Sequence, residues 1–158
     1  MILYHGSNMV FEKIDLNKSK TNKDFGKGFY LSDNYEQAEK MAQFKVVTLG
    51  GNVNVQSYEV DNEILKDNTL NIKIFNEYSK EWAEFIFANR DNNSDIQCHD
   101  YDIVYGPIAN DRVGLQIRKF HDGSIDFEEF LHRIKYMKGI TFQYFFGTNK
   151  AINKLKKL

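Results

Sequence analysis

Cysteine and proline are nearly missing from this sequence, with one of each, Cys98 and Pro107, in 158 residues. A lone cysteine makes no intrachain disulfide, so the fold must rest on its core, and a reducing cytoplasm is the expected compartment. A single proline excludes a proline-rich hinge or linker. No apolar run is long enough to span a membrane. Met1 to His5 has no basic region ahead of its apolar residues and does not read as a signal peptide. No excess of charge exists either: the net charge is −1, which argues against a generally basic nucleic-acid binder. No repeat or low-complexity tract divides the chain, so a single domain over residues 1–158 is expected.

What the sequence has in quantity is aromatic residues, 15%, most of them Phe and Tyr. They fall on short alternating segments. Strands are expected over 2–7, 29–31, 52–60, 70–74, 101–106 and 141–146, the fifth of them stopped by Gly106-Pro107. Residues 8–23 read as a long, locally basic loop with Lys18, Lys20 and Lys23. Asp33 with Glu36 reads as a capping pair opening a helix over 34–48, whose apolar face is Tyr35, Ala38, Met41, Ala42 and Val46. Further helices are expected over 76–90, over 112–120 and after a cap at Ser124, and the basic tail 149–158 shows helical spacing. Strands and helices interleave irregularly. The expected class is α+β, with mostly antiparallel pairing and flanking helices.

Asp24-Phe25-Gly26-Lys27-Gly28-Phe29-Tyr30-Leu31 joins a glycine turn to an aromatic strand. Glycine permits positive φ and close approach to the backbone, so Gly26 and Gly28 offer a place for something to lie against the main chain. The spacing lacks the third glycine of a dinucleotide fingerprint and the Gly-Lys-Ser/Thr ending of a phosphate loop. His5, at the end of the first strand, is followed by Gly6 and Ser7, and Gln143 stands on the last aromatic strand.

Tyr4-His5-Gly6-Ser7 and Gly26-Lys27-Gly28-Phe29-Tyr30 together resemble the ADP-ribosyltransferase superfamily, in its diphtheria-toxin and poly(ADP-ribose)-polymerase branch. The whole chain is also similar to a bacterial family of unknown function assigned to that superfamily, with its Tyr-His-Gly-Ser, Asp-Phe-Gly-Lys-Gly-Phe-Tyr-Leu and Tyr-Asp-Ile-Val-x-Gly-Pro segments. The resemblance implies split, mostly antiparallel sheets around an NAD cleft. It assigns Gly6 to the nicotinamide carboxamide, Tyr30 to stacking on the nicotinamide ring, and His5 to a ribose, with Ser7 and Gly28 beside them. Tyr35 or Met41 would form a second wall, and Arg90 would meet the pyrophosphate unless it serves as a helix-end ion pair. Gln143 takes the place of the superfamily's glutamate and carries no charge, so it can hydrogen-bond a ribose but cannot act as a base. Asp100 and Asp102 are substitute carboxylates in this reading. The implied activity is transfer of a single ADP-ribose from NAD by a small toxin-like effector. The acceptor would be a protein in preference to nucleic acid, and an antitoxin would be a fitting partner. A catalytically silent NAD- or protein-binding module is the alternative. Replacing Tyr30 by Ala is expected to abolish transfer and leave the fold intact.

Overall fold

A computed structural model describes residues 1–158. The strands are β1 (Ile2–Ser7), β2 (Phe29–Leu31), β3 (Asn54–Glu59), β4 (Ile72–Ile74), β5 (Ile103–Pro107), β6 (Phe142–Phe146) and β7 (Lys156–Lys157). The helices are α1 (Tyr35–Leu49), α2 (Lys80–Arg90), α3 (Asp111–His121), α4 (Phe127–Lys135) and α5 (Asn149–Ile152). The class is α+β, as expected. One sheet has the order β1-β3-β7 and is antiparallel throughout. The other has the order β2-β6-β5-β4, antiparallel except for the parallel β4–β5 pair. No helix is long and apolar enough to cross a membrane.

Each helix begins at a side-chain cap. Asn34, Ser79, Asn110, Asp126 and Thr148 each accept the N–H three residues on, satisfying one of the orphan donors of a first turn. Two of these differ from the expected caps. Asn34 with Gln37 replaces Asp33 with Glu36, and Asp126 replaces Ser124, which sits in the turn before α4. Both are one- or two-residue slips between neighbours that can all cap. Pro107 does not stop β5 but ends it as the partner of Phe142. The basic tail makes only one helical turn, α5, and then lays β7 on β3.

Period-two alternation along β6 divides the core. Tyr144 and Phe146 join Leu3, Phe29, Leu31, Tyr58 and Ile103 in one buried cluster. Phe145 points the other way, into a cluster with Phe25, Trp82, Ile86, Val104 and Phe130 under α2 and α4.

The two sheets touch through a single antiparallel bridge, Tyr4 with Ser32. Tyr4 N–H donates to Ser32 O at 2.7 Å and Ser32 N–H donates to Tyr4 O at 2.9 Å. One step further the sheets part. Tyr30 O is met by His5 Nδ1 at 2.7 Å instead of by a backbone amide, and Gly6 O by Lys45 Nζ at 2.7 Å. Alternate residues of a strand direct their N–H and C=O to the same side. Gly6 therefore turns its backbone polar groups toward the gap that Tyr4 closes.

Candidate functional site

The gap holds two cavities. The smaller, about 50 Å³, is lined by Tyr4, Gly6, Tyr30, Ser32, Met41 and Gln143 among others. The larger, about 320 Å³, is lined by His5, Ser7, Gly28, Phe29 and four lysines, Lys13, Lys18, Lys23 and Lys45. The structure thus brings Gly6, Tyr30 and Gln143 to one cavity and His5, Ser7 and Gly28 to its neighbour. His5 and Tyr30 remain in contact through the hydrogen bond at the parting of the sheets.

Gln143 carries one of three buried side-chain polar atoms that lack a partner, the others being Asn54 Oδ1 and Gln56 Oε1. On Gln143 the atom is Nε2. An unmade buried hydrogen bond costs about 1–3 kcal/mol, so an orphan donor on a residue that lines a cavity fits a site that meets an acceptor from elsewhere. Gln143 lies opposite Gly106 in the β5–β6 ladder.

His5 stacks on Phe29, ring centroids 4.2 Å apart. With Nδ1–H donated to Tyr30 O, its Nε2 faces Lys45 Nζ at 3.5 Å as an acceptor. Burial, then the charge of Lys45, lower the His5 pKa to about 3, outweighing the bond to Tyr30. The imidazole is therefore neutral at physiological pH. Burial, with Lys23 adding repulsion, lowers Lys45 to about 8.

Gly6 and Gly28 are required by the protein's own packing. A Cβ on Gly6 would stand 1.8 Å from Ala38 O, because α1 crosses β1 at this point. A Cβ on Gly28 would enter the Phe145 ring. Gly26 has φ +87°, the left-handed region, as the turn requires. What lies against this main chain is the Gln97 amide, whose Oε1 accepts Lys27 N–H at 2.8 Å and whose Nε2 donates to Lys27 O at 3.1 Å.

Tyr30 belongs to the same turn. Its hydroxyl donates to Gly26 O at 2.7 Å and accepts from Phe25 N–H at 3.0 Å. Its ring packs parallel to Phe25 at 6.4 Å, edge-on to Phe145 at 5.3 Å and beneath Lys23 Nζ at 5.5 Å. Desolvation, then the charge of Asp24, hold the phenol well above its ordinary pKa. Tyr30→Ala would remove a packed ring and both bonds, at a cost of about 3–5 kcal/mol. That variant is not the fold-neutral probe the sequence led us to expect. Tyr30→Phe is the cleaner change. It leaves two backbone groups unmet and should lower stability by about 2 kcal/mol in urea unfolding. A midpoint equal to the wild type would show that the hydroxyl does not hold the turn.

Four other expected site residues lie elsewhere. Tyr35 is 49% exposed and rests edge-on against Tyr4 at 5.4 Å, while Met41 supplies the cavity wall. Arg90 pairs with Asp24 through Nε at 2.7 Å and so braces the glycine turn. Asp102 is no substitute carboxylate. It accepts from Asn71 N–H at 2.8 Å and from Thr148 Oγ1 at 2.5 Å, beyond the far end of β5 from the Gly106–Gln143 pair. Burial works to raise its pKa, but these bonds and Lys150 together lower it. Asp100 accepts from Asn71 Nδ2 at 3.1 Å, also outside both cavities.

Lys45 and Gln97 escaped the sequence reading. Lys45 had a signal: it follows the buried Ala38 and Ala42 at i+7 and i+3, a charge on the inward side of α1. Gln97, in an irregular polar segment, had none.

A family model described as "Protein of unknown function (DUF3990)" matches residues 1–157. No curated protein matches the chain.

Proposed function

We propose, for a chain that belongs to the DUF3990 family, that the gap between its sheets is an NAD site of the ADP-ribosyltransferase kind and that its reaction is transfer of a single ADP-ribose. The observation that carries this is that Gln143, whose buried Nε2 has no partner, lines one cavity with Gly6 and Tyr30. The backbone edge of Gly6 offers a carboxamide both a donor and an acceptor, and Gln143 offers a further donor to a ribose oxygen. The small cavity, at about 50 Å³, is well below the few hundred Å³ of ordinary ligand sites. Seating a pyridine ring therefore needs Met41, 45% exposed, to swing outward. Lys45 must also share Gly6 O with the incoming amide.

In such a transfer the bond from ribose C1′ to the nicotinamide nitrogen breaks, and nicotinamide leaves with the bonding pair. The acceptor's nucleophile bonds to C1′ and gives its proton to a base or to solvent. Gln143 can orient the ribose but cannot stabilise the developing cation as a carboxylate would. No Asp or Glu lines the small cavity, which favours a second reading, a silent NAD-binding module. With a net charge of −1 the chain has no general field for nucleic acid, so a protein acceptor suits it better. The effector role, with an antitoxin as partner, belongs to the same proposal.

Saturation-transfer NMR with NAD tests binding, and silence at millimolar NAD sinks both nucleotide readings. Gln143→Glu tests the reaction. Release of nicotinamide from NAD should rise about tenfold or more if the position faces the scissile bond. Unchanged hydrolysis in a variant that still binds NAD would place the reacting atoms elsewhere.

A further inference from the structure

The larger cavity gathers far more cations than anions. Lys13, Lys18, Lys23 and Lys45 line it, against a single carboxylate, Asp15. Asp15 is engaged in capping the turn at Leu16–Lys18, accepting Asn17 N–H at 3.0 Å. None of the four lysines belongs to any of the ion pairs in the structure, whereas Lys66, Lys73, Lys80, Lys154, Lys156 and Lys157 all do. Lys45 reaches in from α1, and the other three come from the loop over residues 8–23. Lys23 is exposed as a residue, yet desolvation around its ammonium, with Lys20 nearby, lowers its pKa. Lys45 is held down in the same way and feels Lys23. The neutral His5 adds no charge to this group. Like charges brought together in a recess oppose the fold, and an anion in the recess relieves them.

We propose that the larger cavity is a diphosphate-binding site in which Lys23 and Lys45 hold the anion and the exposed Lys13 and Lys18 raise its local concentration. Ser19 adds a hydroxyl, although it already accepts Gly28 N–H at 3.1 Å. Phe11, Ile14 and Phe29 form an apolar wall beside the lysines, which suits a ligand with a flat apolar part joined to its phosphates, as in a nucleotide. This inference does not depend on nicotinamide chemistry; it holds for any ligand that carries a diphosphate.

Calorimetric titration of the full chain with inorganic pyrophosphate at pH 7 tests it. One site per chain is expected. Lys45→Met and Lys23→Met should each weaken binding about tenfold. Lys138→Met, on an exposed residue remote from the cavity lining, should match the wild type. Lys45→Met also removes the bond to Gly6 O, so Lys23→Met is the deciding variant, because it gives up only the contact of the ammonium with the Tyr30 ring. Absence of binding at millimolar pyrophosphate, or equal affinities for Lys23→Met and Lys138→Met, overturns the proposal. Pyrophosphate binding without NAD binding would uphold this site and sink the NAD reading. NAD binding unchanged in both lysine variants would do the reverse.

Discussion

Gly6→Ala is expected to lower the stability of the fold by about 3 kcal/mol, the upper range for overpacking, and to remove the small cavity with it. The added methyl would stand 1.8 Å from Ala38 O, 2.8 Å from Ala38 C and 2.9 Å from Ala42 N. These are helix backbone atoms, with no flexible side chain to yield. Relief requires α1 to move away from β1, and with it Lys45, which holds Gly6 O, and Met41, which walls the cavity. Gly114→Ala is the matched control. Gly114 lies inside α3 with nothing nearer to its missing Cβ than Arg118 at 3.8 Å. There the same change should stabilise by roughly 0.5–1 kcal/mol, since a helix interior favours alanine over glycine. Urea unfolding of both variants measures the pair. A Gly6→Ala midpoint at or above that of the wild type would mean that α1 does not seat on β1 as described.

The second large effect is a loss of stability on mild acidification, traced to His5. Its pKa in the fold is about 3, against an ordinary value of 6.5. Between those values the unfolded chain binds a proton that the native chain refuses, so stability rises with pH across the window. The contribution is complete above about pH 6.5 and is lost as pH falls toward 3, for a total on the order of 5 kcal/mol. The causes are burial first and Lys45 second, with Lys23 adding to them and the bond to Tyr30 O opposing them. His99, also lowered by burial, adds to the fall in the same window, while Asp67, Asp102 and Asp122, whose carboxyls are held below the ordinary range, act at its acid end. Free energies of unfolding measured from pH 7 to pH 4 should therefore fall steeply. His5→Asn should show a shallower slope from a lower starting stability, since it also gives up the stack on Phe29. Equal slopes for the two proteins would show that His5 is not the proton-linked group.

The sequence by itself determined the α+β class, the place of nearly every strand, and the residues worth asking about. Short alternating runs such as Phe142 to Phe146 carry that information locally, because a period of two assigns each side chain to a face before any partner is known. Helix starts were legible only to within one to four residues, α2 opening at Lys80 where 76 was expected, because nearby polar residues such as Asp33 and Asn34 can both cap and the seating of the helix chooses between them. The tertiary structure alone decided what the motif residues do. Gly6 reads as open backbone until α1 is laid across it, and Arg90 as a free cation until Asp24 comes back to meet it. Lys45 joins His5 across 40 positions of chain. Local patterning governs which residues form a strand or a helix, but contacts between segments distant in the chain depend on how two sheets and a helix close on one another. The split beyond Tyr4 and Ser32, with both its cavities, arises from that closure.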